Sequence, residues 1–150
     1  MKNVLLLLIP LLIFISCEDE KEEKEVSAFV GTWAVTNMSV YDNENCTGDP
    51  TTEIVVANLP DSVIFEISMS IEEDGTSEMT ILQDDGTHYT GTGTWSESSD
   101  GTLLVTIIYG AGSGDEATDN WSFELSDDET TMIDQVSGED YCTEWVFTKQ

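Results

Sequence analysis

Val63-Ile64-Phe65-Glu66-Ile67-Ser68-Met69-Ser70-Ile71, followed by Glu72-Glu73-Asp74-Gly75 and then Thr76-Ser77-Glu78-Met79-Thr80-Ile81, decides the fold. Val63, Phe65, Ile67, Met69 and Ile71 fall on every second residue. Side chains of a strand point alternately to its two faces, so this period describes a strand with one buried face. Asp74-Gly75 then supplies the dihedrals of a tight hairpin. Ser77, Met79 and Ile81 resume the alternation on the way back.

The pattern repeats outward in both directions. Asp84-Asp85-Gly86 and Ser99-Asp100-Gly101 are further turns, and between them Tyr89, Gly91, Gly93 and Trp95 alternate with His88, Thr90, Thr92 and Thr94. Leu103, Val105, Ile107 and Tyr109 follow, then a flexible Gly110–Gly114 loop, then Trp121, Phe123 and Leu125. A short strand around Met132 to Val136 and a last strand from about Tyr141 to Lys149 end the chain. A first strand runs from about Thr32 to Tyr41. Eight short strands joined mostly by hairpins predict an all-β domain, and an antiparallel up-and-down meander more than a Greek key. A meander removes its two exposed edges when its first strand pairs with its last, so an eight-stranded barrel is the expected architecture.

The head of the chain reads differently. Met1-Lys2-Asn3 precedes a twelve-residue run, Val4 to Ile15, apolar but for Pro10, which ends Phe14-Ile15-Ser16-Cys17. A basic start, a short apolar core and a small residue before a cut describe an export signal, too short to span a bilayer. Ser16-Cys17 resembles the lipobox of bacterial lipoproteins, with Phe14 where Leu is usual. The resemblance implies a signal peptide over 1–16 and a lipid on Cys17, the first mature residue. Two or more acyl chains give stable membrane anchoring. In Glu18-Asp19-Glu20-Lys21-Glu22-Glu23-Lys24-Glu25, six of eight residues are acids. Such a block buries no apolar surface and serves as a solvated tether. It also resembles the acidic export tag of some Gram-negative surface lipoproteins. The expected location is therefore the outer membrane, on the cell surface, with a 17–26 linker and a folded domain over 27–150.

Composition narrows the function classes. The chain has 31 acids against 4 Lys and no Arg, for a net charge of −27. Lys149 is the single Lys of the 27–150 span. Such a surface repels nucleic acid and offers anionic ligands no Arg clamp. With Cys17 acylated, Cys46 and Cys142 remain as a pair in an oxidising compartment, where a disulfide is expected over two buried thiols. A closed meander sets the start of its last strand beside the end of its first, which brings these two cysteines together; a two-sheet sandwich could bring them together as well.

Phe29-Val30-Gly31-Thr32-Trp33 resembles the Gly-x-Trp signature at the head of lipocalins, and Trp145-Val146-Phe147-Thr148-Lys149 resembles the last strand of lipocalin-like domains on bacterial lipoproteins. This resemblance covers residues 27–150. It implies that Gly31 and Trp33 close one end of the barrel. Lipocalins usually lay an Arg over that Trp; with no Arg here, Lys149 is the available substitute.

Signals for catalysis are poor. The single His, His88, stands in a Thr-rich strand, and no nucleophile elbow, phosphate loop or His-x-x-x-His occurs. Asp42-Asn43-Glu44-Asn45, Asp84-Asp85 and Asp127-Asp128-Glu129 offer oxygen ligands but lack calcium-loop spacing, and turn residues are the simpler reading. The domain is accordingly read as non-enzymatic, without cofactor or metal, and monomeric. An eight-stranded barrel has an interior that side chains fill or that holds one small ligand. Inward candidates for binding a small, mostly apolar, uncharged or cationic molecule are Phe65, Ile67, Met69, Tyr89, Trp95, Ile107, Tyr109 and Phe123. Gly91 and Gly93 would leave room beside Tyr89 and Trp95, or let the strand bend. A filled barrel acting as a structural or protein-interaction module of the envelope is the alternative.

Overall fold

A computed structural model of the protein describes residues 26–150 except 61, 64, 84, 85 and 113. The signal, Cys17 and the acidic tether to residue 25 lie outside the described residues. Nine strands follow one another: β1 (Gly31–Tyr41), β2 (Thr52–Val55), β3 (Glu66–Ile71), β4 (Thr76–Leu82), β5 (His88–Glu97), β6 (Leu103–Tyr109), β7 (Ala117–Leu125), β8 (Thr131–Ser137) and β9 (Cys142–Lys149). From β3 to β9 each strand pairs antiparallel with the next. β9 returns to β1 over Trp33↔Lys149 to Tyr41↔Cys142, and β1 pairs with β3. The result is the closed eight-stranded antiparallel barrel that the alternation predicts.

The ninth strand, β2, was not anticipated. Thr52-Glu53-Ile54-Val55 has no period-two pattern, and its four residues pair with Val40 to Asn37 of β1. β3 pairs with Ala34 to Gly31, so β2 and β3 share one edge of β1, end to end. A 3₁₀ turn, Val56–Asn58, follows β2 on the way to β3. The alternation from Val63 onward had put residues 63–65 in the strand; regular pairing starts at Glu66. β1 is irregular on its other edge at the same level, where the register with β9 shifts between Val35 and Asn37. Thr36 fills the bulge and bonds Thr148 Oγ1 at 3.0 Å.

One end of the barrel is closed. There Trp33 is fully buried and its indole Nε1 donates to the carbonyl of Phe29 at 2.8 Å. Lys149 Nζ sits 5.2 Å from the Trp33 ring centroid and donates to Ala28 O at 2.8 Å. The lysine thus occupies the place that the resemblance gives to an arginine. Gly31 has φ +141°, and a Cβ there would lie 3.0 Å from Lys149 Cε. The absent side chain makes room for the lysine stem. Three hairpin turns close the same end with one device. Asp74, Asp100 and Asp128 each accept from the N–H two residues on, at 3.0, 3.1 and 3.2 Å. Around and above the Trp33 plug, Met69, Ile71, Met79, Leu103, Val105, Phe123, Met132 and Phe147 are buried with it in one cluster.

Cys46 and Cys142 form a disulfide at the other end, with Cα atoms 5.1 Å apart across a sequence separation of 96. It ties the loop after β1 to the first residue of β9. This is the pairing expected where first and last strands meet.

Candidate functional site

The end opposite Trp33 is not filled. A cavity of about 410 Å³ opens there, lined by Val63, Phe65, Ile67, Ile81, Gln83, Trp121 and Trp145. Its walls follow from strand parity. Ile67 and Ile81 face each other across the β3–β4 pair. Trp121 lies two residues from Phe123 on the inward register of β7, and Trp145 two residues from Phe147 on that of β9. Phe65 and Val63 arrive from the segment that interrupts the β2–β3 edge. The floor is an aromatic cluster: Trp121 stacks on Phe123 at 5.8 Å and meets Trp145 and Phe147 edge-on at 6.3 and 6.0 Å.

The eight sequence candidates separate into groups. Phe65 and Ile67 line the cavity. Met69, Ile107 and Phe123 are fully buried in the core below it. Tyr109 and Trp95 are partly buried against that core. Trp95 belongs to the closed half, where its Nε1 donates to Glu72 O at 2.7 Å. Tyr89 shares the inward register of β5 but is 47 % exposed. The space beside Gly91 is taken by Ile107 and Tyr109, whose side chains a Cβ at Gly91 would strike. At Gly93 a Cβ would overlap the Thr106 carbonyl, so the wall bends sharply there. These glycines serve curvature and close packing. Val63, Ile81, Gln83, Trp121 and Trp145 line the cavity without having been singled out. Inward parity was their signal in the sequence, with Phe65 for Val63, Met79 for Ile81 and Gln83, Phe123 for Trp121 and Phe147 for Trp145, but parity does not say at which height a barrel is empty.

Polar groups at this level are few and mostly acidic. Tyr109 Oη contacts Met79 Sδ at 3.0 Å, and burial, aided by the charge of Asp119, pushes its hydroxyl up to about 12. Asp119 sits on the inward register of β7 beside Ile107. Asp134, on β8 opposite Phe123 and Trp145, is 3 % exposed. Its Oδ1 accepts from the Ser122 N–H at 2.8 Å, where the β7–β8 ladder ends. Burial raises its carboxyl above the usual value, against the lowering effect of that hydrogen bond. Among the described residues, Asp134 Oδ2 and Trp121 Nε1 at this end, and Ser77 Oγ at the closed end, are buried without a partner.

Other sequence candidates lie elsewhere. His88 is exposed at the head of β5. Asn43 Oδ1 accepts from the N–H groups of Asn45 and Thr47, both at 3.1 Å, and Asp128 accepts from Ser126 and Thr130, which is turn chemistry. Asp84 and Asp85 lie outside the described residues. No group of three or more His, Cys, Asp or Glu among the described residues is placed to hold a metal ion.

No protein-family profile matches the sequence, and a search of curated proteins finds no match. Among solved structures, the chain is similar to a lipocalin-like protein from Bacteroides uniformis. The TM-score is 0.50 and the identity 18 %, over 83 % of this chain and 100 % of the other. The shared fold is therefore lipocalin-like.

Proposed function

We propose that this protein is a lipid-anchored envelope protein whose barrel mouth binds a small, mostly apolar molecule noncovalently, without catalysing a reaction. The observation that carries the binding reading is the 410 Å³ apolar cavity over an aromatic floor. Ligand sites for small molecules fall in the range of roughly 300–1,000 Å³ and are lined mainly by apolar and aromatic groups. Lipocalin-like architecture supports small-ligand binding in general terms. Mass spectrometry of small molecules extracted from the purified protein tests it. A recurrent apolar species, lost when Ile67→Trp fills the cavity, is expected; an empty protein that binds no apolar probe overturns it.

The filled-barrel alternative draws on the closed half, where Ile107 and Tyr109 occupy the space beside Gly91. It requires the mouth to be empty of ligand as well, so the same experiment separates the two.

The address rests on Lys2, the Val4–Ile15 run and Ser16-Cys17. The reading is an outer-membrane protein at the cell surface, with the acidic 18–25 stretch as tether. Cells fed labelled palmitate should label the wild-type chain and not Cys17→Ser. Equal labelling of both overturns the anchor.

A further inference from the structure

The cavity has an electrostatic character that its apolar lining conceals. On the inward registers of β3 to β9, the carboxylates at the open half are Asp119 and Asp134. The single Lys of the described residues, Lys149, is at the opposite end, held by Ala28 and Trp33. Asp134 is therefore a buried acid with no protein cation beside it. One oxygen has a structural task, accepting from Ser122; the other has no partner among the described residues. A buried carboxylate without a partner is costly, and it persists where something else meets it or where it performs a task. Asp134 does not itself line the cavity; its neighbour across the β8–β9 pair, Trp145, does.

Aromatic rings supply the second half of the argument. Phe65, Trp121 and Trp145 all line the cavity, and Trp121 and Trp145 meet at 74°. Ring faces attract cations, and alkylated ammonium groups suit such cages because they also bury apolar surface. Neither Asp119 nor Asp134 lines the cavity, but the single Lys of the described residues is at the opposite end, so an anionic head group would find no Lys or Arg there.

We propose that the cavity at the barrel mouth selects an organic cation, an alkylated ammonium group on an apolar body, with Trp121, Trp145 and Phe65 against its alkyl groups and the unpaired Asp134 carboxylate, buried behind that aromatic wall, as the negative charge that favours it. The proposal rests on the cavity being a ligand site. It adds the charge of the occupant, which the site's aromatic walls alone do not specify.

Three matched probes test it: decyltrimethylammonium, decan-1-ol and decanoate, each titrated by calorimetry below its aggregation threshold. The protein is the chain from residue 17 with Cys17→Ser, free of lipid. A chain with so large an excess of acids attracts any cation over its surface, so titrations are run at about 0.5 M salt, where exposed charges beyond a few ångströms are screened. The ammonium should bind about tenfold tighter than the alcohol, and decanoate weakest. Asp134→Asn, which keeps an oxygen for Ser122, should bring the first two within about twofold while the alcohol binds as before. Should that variant not fold, Trp145→Leu should lower the ammonium-to-alcohol ratio by about threefold or more. Equal binding of ammonium and alcohol by the wild type, or a ratio that neither variant changes, overturns the cation proposal and leaves the cavity reading standing. Binding of no probe overturns both.

Discussion

The two halves of this barrel solve opposite problems with the same strands. At the closed end, Trp33 is fully buried with its indole N–H satisfied, Lys149 covers it, and three hairpin turns are tied by Asp side chains. At the open end, Asp134 Oδ2 and Trp121 Nε1 lack partners, Tyr89 and Tyr141 are exposed, and a covalent bond holds the rim. The strands' alternation is the same throughout. Each end keeps a buried polar atom without a partner, Ser77 Oγ being the one beside the closed-end turn, so what differs is whether the interior is full. The packed cluster lies below and the empty space above, and only empty space leaves something for a guest to fill.

The comparison can be broken most forcefully at the rim. The disulfide closes a loop of 96 residues, and in the chain-entropy model such a link stabilises by about 4–5 kcal/mol through the unfolded chain. Reduction, or Cys46→Ser with Cys142→Ser, should lower the urea midpoint accordingly. If the open half depends on this bond while the closed half does not, amide exchange should rise first in residues 42–51 and at the start of β9. A uniform rise along the whole barrel would mean that the halves are one cooperative unit.

Trp33→Ala attacks the other half. The indole is fully buried in the core, so about 3–5 kcal/mol of destabilisation is expected. Lys149 would lose its ring and Phe29 O its donor at the same time. Denaturant unfolding checks the size. A loss below about 1 kcal/mol would mean that the closed end is not the stable half.

How much of this was legible in the sequence follows the same division. The closed end announces itself. Gly31 and Trp33 stand at the head of β1; the Asp-Gly turns alone do not mark this end, because Asp85-Gly86-Thr87 between β4 and β5 repeats the Asp74-Gly75-Thr76 pattern. Closure followed from counting strands, and the cysteines fitted it. β2 was invisible because Thr52–Val55 is too short for a period, and it owes its pairing to the second half of β1. The start of β7 was hidden for a related reason: Thr118, Asp119 and Asn120 carry no apolar alternation, yet they pair with Ile108, Ile107 and Thr106. At the site, parity correctly put Phe65 and Ile67 indoors. It also placed Tyr89 on the inward register, where 47 % of it is exposed, because strands outrun the core at the open rim. Trp121 and Trp145 share parity with the deepest core residues. Only their height along the barrel makes them walls of a cavity, and height depends on register between strands far apart in sequence.

The subtlest test uses pH, because the two halves titrate in opposite senses. Asp74, Asp100 and Asp128 have carboxyls held below the usual 3.8, chiefly by hydroxyl donors, Thr76 for the first, Ser98 for the second and Ser126 for the third. Whatever they contribute is present above pH 3.8 and is lost as pH falls through their lower folded values. Asp134 runs the other way. Burial raises its carboxyl, so the folded state takes up a proton before the unfolded state does. Acidification from neutral should therefore first stabilise the protein through Asp134, down to about pH 3.8, and the turns should weaken below it. Relief of repulsion among many surface acids adds to the first limb, so the informative quantity is the difference between wild type and Asp134→Asn. The variant should melt higher at neutral pH, and the gap should close as pH falls toward 3.8. A gap that stays constant with pH would show that Asp134 is not held at a cost in the folded barrel, and the open half would lose its claim to a group kept in waiting.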